Sequence, residues 1–504
     1  MRSVYSALFA CVLASACGGG AKSGHYMASP AAYPHQSIAG DPGTAEGNTS
    51  VHHGINPWVD TRTDNLSTFA ADVDTASYTL SRRTLMSGSL PPAASVRVEE
   101  YVNYFHYSFP QPAAGSPFSV VMDAAPSPFE PGLHVLRVGV ATPPKTRLER
   151  KPANLVFLVD VSGSMTSADK LGLAKQSLKL LVENLRNDDS VALVTYAGST
   201  RVVLPATSVA ERGKIIAALD KLTSGGGTAM GAGLDLAYSE AMKGLQRGAI
   251  SRVIVLSDGD ANVGTSDPKG IQGIVAERVK AGVTVSTIGF GMGNYRDHLM
   301  EQLADSGNGN SFYIDSMAAA QRIFSDQLAS TLEVAAKDVK LQVEFDPAMV
   351  SRYRLVGYEN RNIADADFRK DQVDAGEIGV GHQVTALYVV DLTEQAKSNP
   401  GPLGLVRIRH KAPDGDTAVE NTYAMAGAPA ATFDDASLDL RFAYTAAAFA
   451  DVLRGSEDAQ KWSLDRIANT AYATAGKDTD RLELVSLIEK AARLRGSPLS
   501  QVAR

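Results

Sequence analysis

The chain has 504 residues and a mass of 53.2 kDa, and 44% of its residues are hydrophobic. A chain of this length can bury several cores, so we expect a multidomain globular protein. Its 48 Lys and Arg residues against 55 Asp and Glu give a formal net charge of -7, and the basic residues form no block. This composition is poorly suited to holding a phosphate backbone, so nucleic acid is not an expected partner.

The N-terminus has the pattern of an export signal. One arginine precedes an uncharged apolar stretch that ends at Ala16 and is too short to span a bilayer as a mature helix. The sequence ASAC, followed by three glycines, resembles the lipobox of bacterial lipoproteins, in which the cysteine, here Cys17, carries the lipid. We therefore expect an exported chain that is lipid-anchored at the cell envelope. Gly18 replaces the aspartate that often retains lipoproteins at the inner membrane, which favours the outer membrane if the organism has two membranes, and otherwise the plasma membrane.

A low-complexity segment rich in Gly, Ser, Ala, Pro and His follows and has the composition of a flexible tether. Order is predicted from about residue 57. The next segment contains two helical patterns, YTLSRRTLM and VRVEEYVNYF, separated by a break with Gly and Pro-Pro. Two strand patterns come after them, FSVVMDAAP and LHVLRVGVAT, and neither has a partner within its own short region.

The central part of the chain alternates apolar runs with helical patterns. The runs LVFLVD, VALVTYA, RVIVLSD and VTVSTIGFG are apolar almost throughout, as strands that are buried on both faces must be. Alternation of strand and helix predicts an α/β fold with a doubly wound, mainly parallel, Rossmann-like sheet. Sites in such sheets lie at the carboxyl ends of the strands.

Four more strand patterns follow the central part: KLQVEFDP, VTALYVVDL, LGLVRIRH and VENTYAMAG. Their alternation predicts a sheet with one wet face. The simplest arrangement pairs them with the unpartnered strands upstream, which gives one β-sandwich-like domain with the central α/β domain inserted between its halves. The last part of the chain is amphipathic and helical. Together with the two helical patterns that follow the tether, it predicts additional helices at both ends of the chain.

The motif DVSGSM follows the first buried strand and places Asp160, Ser162 and Ser164 on alternate positions of a short loop. Carboxylate and hydroxyl oxygens on one loop can converge on a small hard cation such as magnesium. Neutral hydroxyl ligands leave a divalent ion with net positive charge, so the ion can accept an acidic group from a partner. The motif therefore predicts a metal site that a partner completes.

These residues resemble the von Willebrand factor A domain, whose metal-ion-dependent adhesion site has the pattern Asp-x-Ser-x-Ser followed by a threonine and an aspartate. The distant partners here are Thr228 in SGGGTAMGAG and Asp258 in LSDGD. The resemblance implies that Asp160, Ser162, Ser164, Thr228 and Asp258 bind Mg²⁺ (or Mn²⁺), and that the ion binds an acidic side chain of a protein ligand.

The resemblance extends over most of the chain. Segments such as STFAADVDTASYTLSRRTLMSGSLPP, RLVGYENR and LRFAYTAAAFADVLRGS look like parts of exported bacterial three-part proteins in which flanking regions enclose the A domain. We therefore predict the following parts: lipoprotein signal peptide, 1–16; flexible tether, 17–56; N-terminal accessory region, with helices and with strands that pair with the C-terminal β segment, 57–150; A domain, 151–332; β-rich C-terminal region, 333–430; C-terminal helical region, 431–504.

The expected function is metal-dependent adhesion, scaffolding or assembly at the cell envelope, without enzymatic activity. One alternative is a hydrolase, because SADK places Ser167 and Lys170 in S-x-x-K spacing, but its usual partner motifs are missing, and the chain has no GxSxG or HExxH motif. We expect Asp169 and Lys170 to be exposed helix residues. A second alternative is an accessory subunit of a larger machine, as in magnesium chelatases, against which the export signal argues.

Overall fold

The computed structural model describes residues 53–112, 116–259, 277–291, 297–373 and 375–500, together with positions 273 and 275. The predicted signal peptide, Cys17 and the predicted tether up to residue 52 lie outside the described residues. The strands in this part of the chain are β1 (Val59–Asp60), β2 (Leu66–Ala70), β3 (Ser119–Pro126), β4 (His134–Ala141), β5 (Ala153–Asp160), β6 (Ser190–Tyr196), β7 (Thr200–Ser208), β8 (Ile250–Ser257), β9 (Thr284–Phe290), β10 (Ser311–Ile314), β11 (Val334–Phe345), β12 (Val350–Val356), β13 (Ile378–Gly379), β14 (Gln383–Leu392), β15 (Gly404–Lys411) and β16 (Ala418–Ala424).

The α-helices, numbered along the described residues, alternate with strands in the centre of the chain and cluster at its two ends. They are α1 (Ala76–Met86), α2 (Val98–Asn103), α3 (Leu173–Asn184), α4 (Arg212–Asp220), α5 (Met230–Lys243), α6 (Asp297–Ser306), α7 (Met317–Gln321), α8 (Leu328–Leu332), α9 (Glu394–Ser398), α10 (Leu438–Arg454), α11 (Leu464–Ala475) and α12 (Thr479–Leu494). None of these helices is both long enough and apolar enough to cross a membrane.

Six strands form the central sheet, in the order β10-β9-β8-β5-β6-β7. All neighbours run parallel except the edge strand β7, which is antiparallel to β6. Strand β5 is buried along its whole length because α3, α4 and α7 cover one face of the sheet and α5 and α6 cover the other. This burial explains its uninterrupted apolar sequence. The predicted doubly wound, mainly parallel sheet is confirmed.

Two antiparallel sheets flank the central domain, with the strand orders β1-β12-β14-β4-β3 and β13-β11-β15-β16, and β2 pairs with β11. Strands from before and after the central domain are direct neighbours, because β2 pairs with β11 and β4 pairs with β14. Side chains from both sheets, such as Leu136 and Leu341, share one hydrophobic core. The predicted insertion of the central domain into a flanking β-sandwich-like domain is confirmed.

Helices from the two ends of the chain pack together. Residues of α1, α2, α10, α11 and α12 form one core with Val135, Leu387 and Val389 from the sheet that contains β4 and β14. Aromatic side chains link these helices, since the rings of Tyr101 and Phe449 have centroids 6.2 Å apart. The predicted helices at both ends are therefore present, and they share one hydrophobic core on that sheet.

The central domain joins the sandwich without a linker. The segment 317–332 contains α7, a π-helical turn and α8, and β11 begins two residues later at Val334. The Arg322 side chain in the π-helical turn donates to the carbonyl oxygen of Tyr104 and pairs with Asp480. Its guanidinium also lies 3.9 Å from the centroid of the Tyr104 ring. The last helical segment of the central domain is thus held by residues from both ends of the chain.

A second connection is a buried ionic cluster around Arg361. The guanidinium of Arg361 lies 3.0 Å from Asp72, 3.5 Å from Asp74, 3.2 Å from Glu301 and 2.8 Å from Asp305. The carboxylates of Asp72, Asp74 and Glu301 are almost completely buried. Asp72 also accepts a hydrogen bond from the Asp74 backbone N–H, which makes this segment a turn. The cluster ties the accessory region and the central domain to Arg361 of the sandwich, and Arg97 of the accessory region also pairs with Glu301.

Candidate functional site

The motif loop begins where β5 ends. Asp160 is the last residue of that strand and is fully buried, and its Oδ1 accepts a hydrogen bond from the Ser162 backbone N–H at 2.8 Å. This bond turns the chain sharply and brings the two serines of the motif to the same side. The hydroxyl oxygens of Ser162 and Ser164 lie 3.0 Å apart. The loop therefore presents two hydroxyls beside a buried carboxylate at the carboxyl edge of the sheet.

The glycine-rich loop that carries Thr228 is hydrogen-bonded to the motif loop. The Gly163 N–H donates to the Gly226 carbonyl at 3.0 Å, and the Gly225 N–H donates to the Val161 carbonyl at 2.7 Å. Gly226 has a φ of +88°, and a Cβ there would lie 3.2 Å from the Gly198 backbone nitrogen, so a larger residue would be strained at this position. Thr228 follows two residues later and its side chain is buried. The sequence GGGT thus brings the predicted threonine to the same edge.

Asp258 comes from the neighbouring strand. Strands β5 and β8 are parallel, with Val159 opposite Leu256, so their carboxyl ends meet. Ser257 donates its hydroxyl to Asp160 Oδ2 at 3.1 Å. Asp258 is fully buried, and its Oδ2 lies 2.9 Å from the Lys170 ammonium nitrogen. The strand ends therefore gather both predicted carboxylates, together with Ser257, which the sequence motif does not identify.

The exposed position predicted for Lys170 is wrong. Only 8% of the residue is exposed, and its ammonium bonds Asp258 instead of facing solvent. The reason is local: residues 168–172 form a π-helical turn before α3, and this turn directs the lysine inward. Ser167 is exposed and donates its hydroxyl to Asp169 at 2.5 Å, so Ser167 and Lys170 bond different carboxylates.

Burial dominates the electrostatics of Asp160. The pKa of this carboxyl is raised to about 6: burial is the largest cause, the charge of Asp258 acts in the same direction, and hydrogen bonds from Ser162 and Ser257 act in the opposite direction. Within the described part of the chain, Asp160 accepts hydrogen bonds from Ser162 and Ser257 but forms no salt bridge. A buried carboxylate without a paired charge is costly, and a bound cation would remove that cost.

The donor set suits a hard cation. It consists of two carboxylates and three hydroxyls, and oxygen ligands of this kind are typical of Mg²⁺ and Mn²⁺. The described residues contain no cluster of three or more His, Cys, Asp and Glu side chains able to hold a metal. The candidate site depends on its hydroxyls, so it fits magnesium or manganese better than a zinc ion, which prefers nitrogen and sulfur ligands.

Three family profiles match the chain. Residues 154–326 match the von Willebrand factor type A domain, residues 47–137 match the profile described as von Willebrand factor, and residues 330–494 match the C-terminal region of the uncharacterized protein YfbK. The six-stranded sheet and the first match define a protein with a von Willebrand A domain. Domains of this class serve adhesion and protein interaction, and they commonly bind a divalent metal.

The uncharacterized protein YfbK of Escherichia coli (strain K12) is 40% identical over 462 residues, which cover 86% of this chain and 80% of that protein. The chain therefore belongs to the YfbK family, in which flanking regions enclose an A domain. The uncharacterized protein sll0103 of Synechocystis is 30% identical over 212 residues, or 42% of this chain and 49% of that protein. Among solved structures, a von Willebrand factor type A protein from Catenulispora acidiphila is 18% identical, with a TM-score of 0.43 over 75% of this chain and 91% of that chain.

Proposed function

We propose that this chain is a cell-envelope lipoprotein whose A domain binds Mg²⁺ or Mn²⁺ at a metal-ion-dependent adhesion site and, through the ion, an acidic side chain of a protein ligand. Asp160, Ser162, Ser164, Thr228 and Asp258 would hold the ion. The bound ion supplies an electrophilic centre for a carboxylate, and the chain's own residues fix where that centre lies.

One observation carries this proposal: five oxygen-bearing side chains, from three separate loops, come to one edge of the central sheet, and the buried Asp160 has no salt-bridge partner among the described residues. Three of the five are neutral hydroxyls. A divalent ion bound by neutral oxygens retains positive charge and attracts an acidic group from outside. These oxygens suit the holding of a cation, so we propose a binding role and not an enzymatic one.

Affinity capture from envelope extracts tests the proposal. The wild-type chain should retain a protein ligand in Mg²⁺ and release it in a chelator, and Asp160→Ala should retain none, because the ion then loses an anchoring carboxylate. Asp188→Ala is the matched control, since Asp188 is an exposed aspartate just before β6, at the opposite edge of the sheet. Capture that survives both the chelator and Asp160→Ala would refute a metal-dependent role.

The proposed anchor has its own test. Cys17→Ser should abolish partition into the detergent phase, because only the thiol can carry a thioether-linked lipid, and the fold from residue 57 onward should be unaffected. Circular dichroism provides the control for folding. A Cys17→Ser chain that partitions like the wild type would show that another part of the chain holds it at the membrane.

The hydrolase alternative receives no support from the geometry. A serine–lysine catalyst needs the lysine nitrogen within hydrogen-bond reach of the serine hydroxyl. Here the Lys170 ammonium bonds Asp258 and the Ser167 hydroxyl bonds Asp169. Labelling of Ser167 by a serine-reactive probe would favour the hydrolase again. The role of an accessory subunit in a larger machine is compatible with the metal site and would appear in the capture experiment as an ATPase partner.

A further inference from the structure

Lys170 brings a positively charged side chain to the candidate metal site, which the metal-binding sequence motif does not predict. Its ammonium nitrogen lies 2.9 Å from Asp258 Oδ2, and the two side chains are 10% and 1% exposed. An ion pair buried to this degree is little screened by salt or water. Lys170 therefore acts on the charge of the candidate metal site directly.

The path of the Lys170 side chain is built into the fold. Its aliphatic stem crosses Gly291 at the end of β9, where a Cβ would collide with the Cε atom of Lys170. Gly291 has a φ of +77°, and its carbonyl accepts a hydrogen bond from the Tyr313 hydroxyl. A glycine at this position both permits the backbone conformation and leaves room for the lysine.

The turn that carries Lys170 is also held from outside the A domain. Asp169, the preceding residue, pairs with Arg83 of α1 in the accessory region. Arg83 also donates to the Tyr313 hydroxyl at 3.2 Å, so one arginine contacts both the turn and the strand beside Gly291. These contacts fix the backbone of the turn from which the ammonium reaches Asp258.

The positive charge of Lys170 beside Asp258 affects how strongly the site binds a metal ion. Counted over the described residues, the two carboxylates of the candidate site carry a formal charge of −2 and Lys170 brings the sum to −1, so a bound divalent ion brings it to +1 instead of 0. Two cations that share one buried carboxylate repel each other, which weakens binding of the metal. The remaining positive charge strengthens the attraction for an acidic ligand.

We propose that Lys170 is a built-in counter-cation of this site, which holds Asp258 in place, lowers the affinity for the divalent ion and keeps the loaded site positive toward an acidic group. The inference rests on the metal site proposed above. It identifies Lys170 as a positioning and specificity-determining residue, not as a ligand of the metal.

The test is calorimetric titration of Mg²⁺, and of Mn²⁺ followed by electron paramagnetic resonance, into the full chain after chelator treatment. Lys170→Met and Lys170→Gln should bind either ion about tenfold more tightly than the wild type, because the repulsion is lost. Lys170→Gln keeps an N–H donor for Asp258 and provides the test where the methionine variant does not fold. Lys170→Arg keeps the charge and should bind like the wild type. Lys179→Met, which removes a lysine paired with Asp220 on the surface, is the matched control and should change nothing.

Equal or weaker metal binding by Lys170→Gln and Lys170→Met, with metal binding by the wild type intact, would overturn the role of Lys170 and leave the metal site standing. Absence of Mg²⁺ and Mn²⁺ binding in the folded wild type and in both variants would overturn the metal site and this inference together.

Discussion

Arg361→Met is expected to lower the free energy of unfolding by about 3–5 kcal/mol, the usual cost of removing one partner from a buried ion pair. The substitution keeps the aliphatic volume of the side chain but leaves Asp72 and Asp74 buried without this cation, while Glu301 keeps its ion pair with Arg97. Burial and the charge of Asp72 raise the pKa of Asp74 well above its ordinary value, and the charge of Arg361 opposes that rise. Loss of Arg361 therefore removes a positive charge that favours the ionised form of Asp74 and leaves the hydrogen bond from the Ser311 N–H.

The measurement is urea denaturation followed by circular dichroism, with Arg62→Met as the matched control. Arg62 pairs with Asp60 at an exposed position of the same chain, where an ion pair contributes little to stability. We expect the first unfolding midpoint to fall for Arg361→Met and to stay unchanged for Arg62→Met. Equal midpoints for Arg361→Met and the wild type would show that the cluster does not hold the accessory region, the A domain and the sandwich together.

Mg²⁺ is expected to stabilise the wild-type chain by about 2.7 kcal/mol at a concentration of one hundred times its dissociation constant, because the ion binds only the folded state. Asp160→Ala should lose this increment completely, since it removes the carboxylate at the end of β5. Asp188→Ala should keep it. Thermal unfolding of the three proteins with and without Mg²⁺, and then with Mn²⁺, provides the measurement.

The outcome with Asp160→Ala separates two explanations. An increment that survives in this variant would mean that the ion binds the folded chain elsewhere. An increment lost in Asp160→Ala and retained in Asp188→Ala would assign the stabilisation to the predicted edge of the sheet and not to a change in the overall charge.

Local patterns in the sequence were sufficient to predict most of the fold. Buried parallel strands such as β5 need apolar residues at every position, so the run before Asp160 predicts both the strand and the place where it ends. The sandwich was predicted by elimination, because the strand patterns before the A domain had no partners of their own. Their pairing with β11 and β14 confirms this reasoning.

The sequence did not predict the contacts made by individual charged side chains. Lys170 is 88 residues from Asp258, and Arg361 is 289 residues from Asp72. The periodicity of hydrophobic residues does not predict such ion pairs, because each pair depends on how whole helices and strands pack together. The prediction that Lys170 is exposed assumes an ordinary α-helix at this point. The π-helical turn at 168–172 instead directs the lysine side chain inward. Asp169 on this turn and Ser167 just before it bond each other, and Asp169 also pairs with Arg83 on α1.

The most direct test of the central claim is anomalous diffraction from crystals of the full chain soaked in Mn²⁺. We predict a manganese peak in contact with the hydroxyl oxygens of Ser162 and Ser164, with Asp160, Thr228 and Asp258 around it, and no such peak in crystals of Asp160→Ala. A manganese peak only at other residues, or an equal peak at this place in Asp160→Ala, would contradict the account.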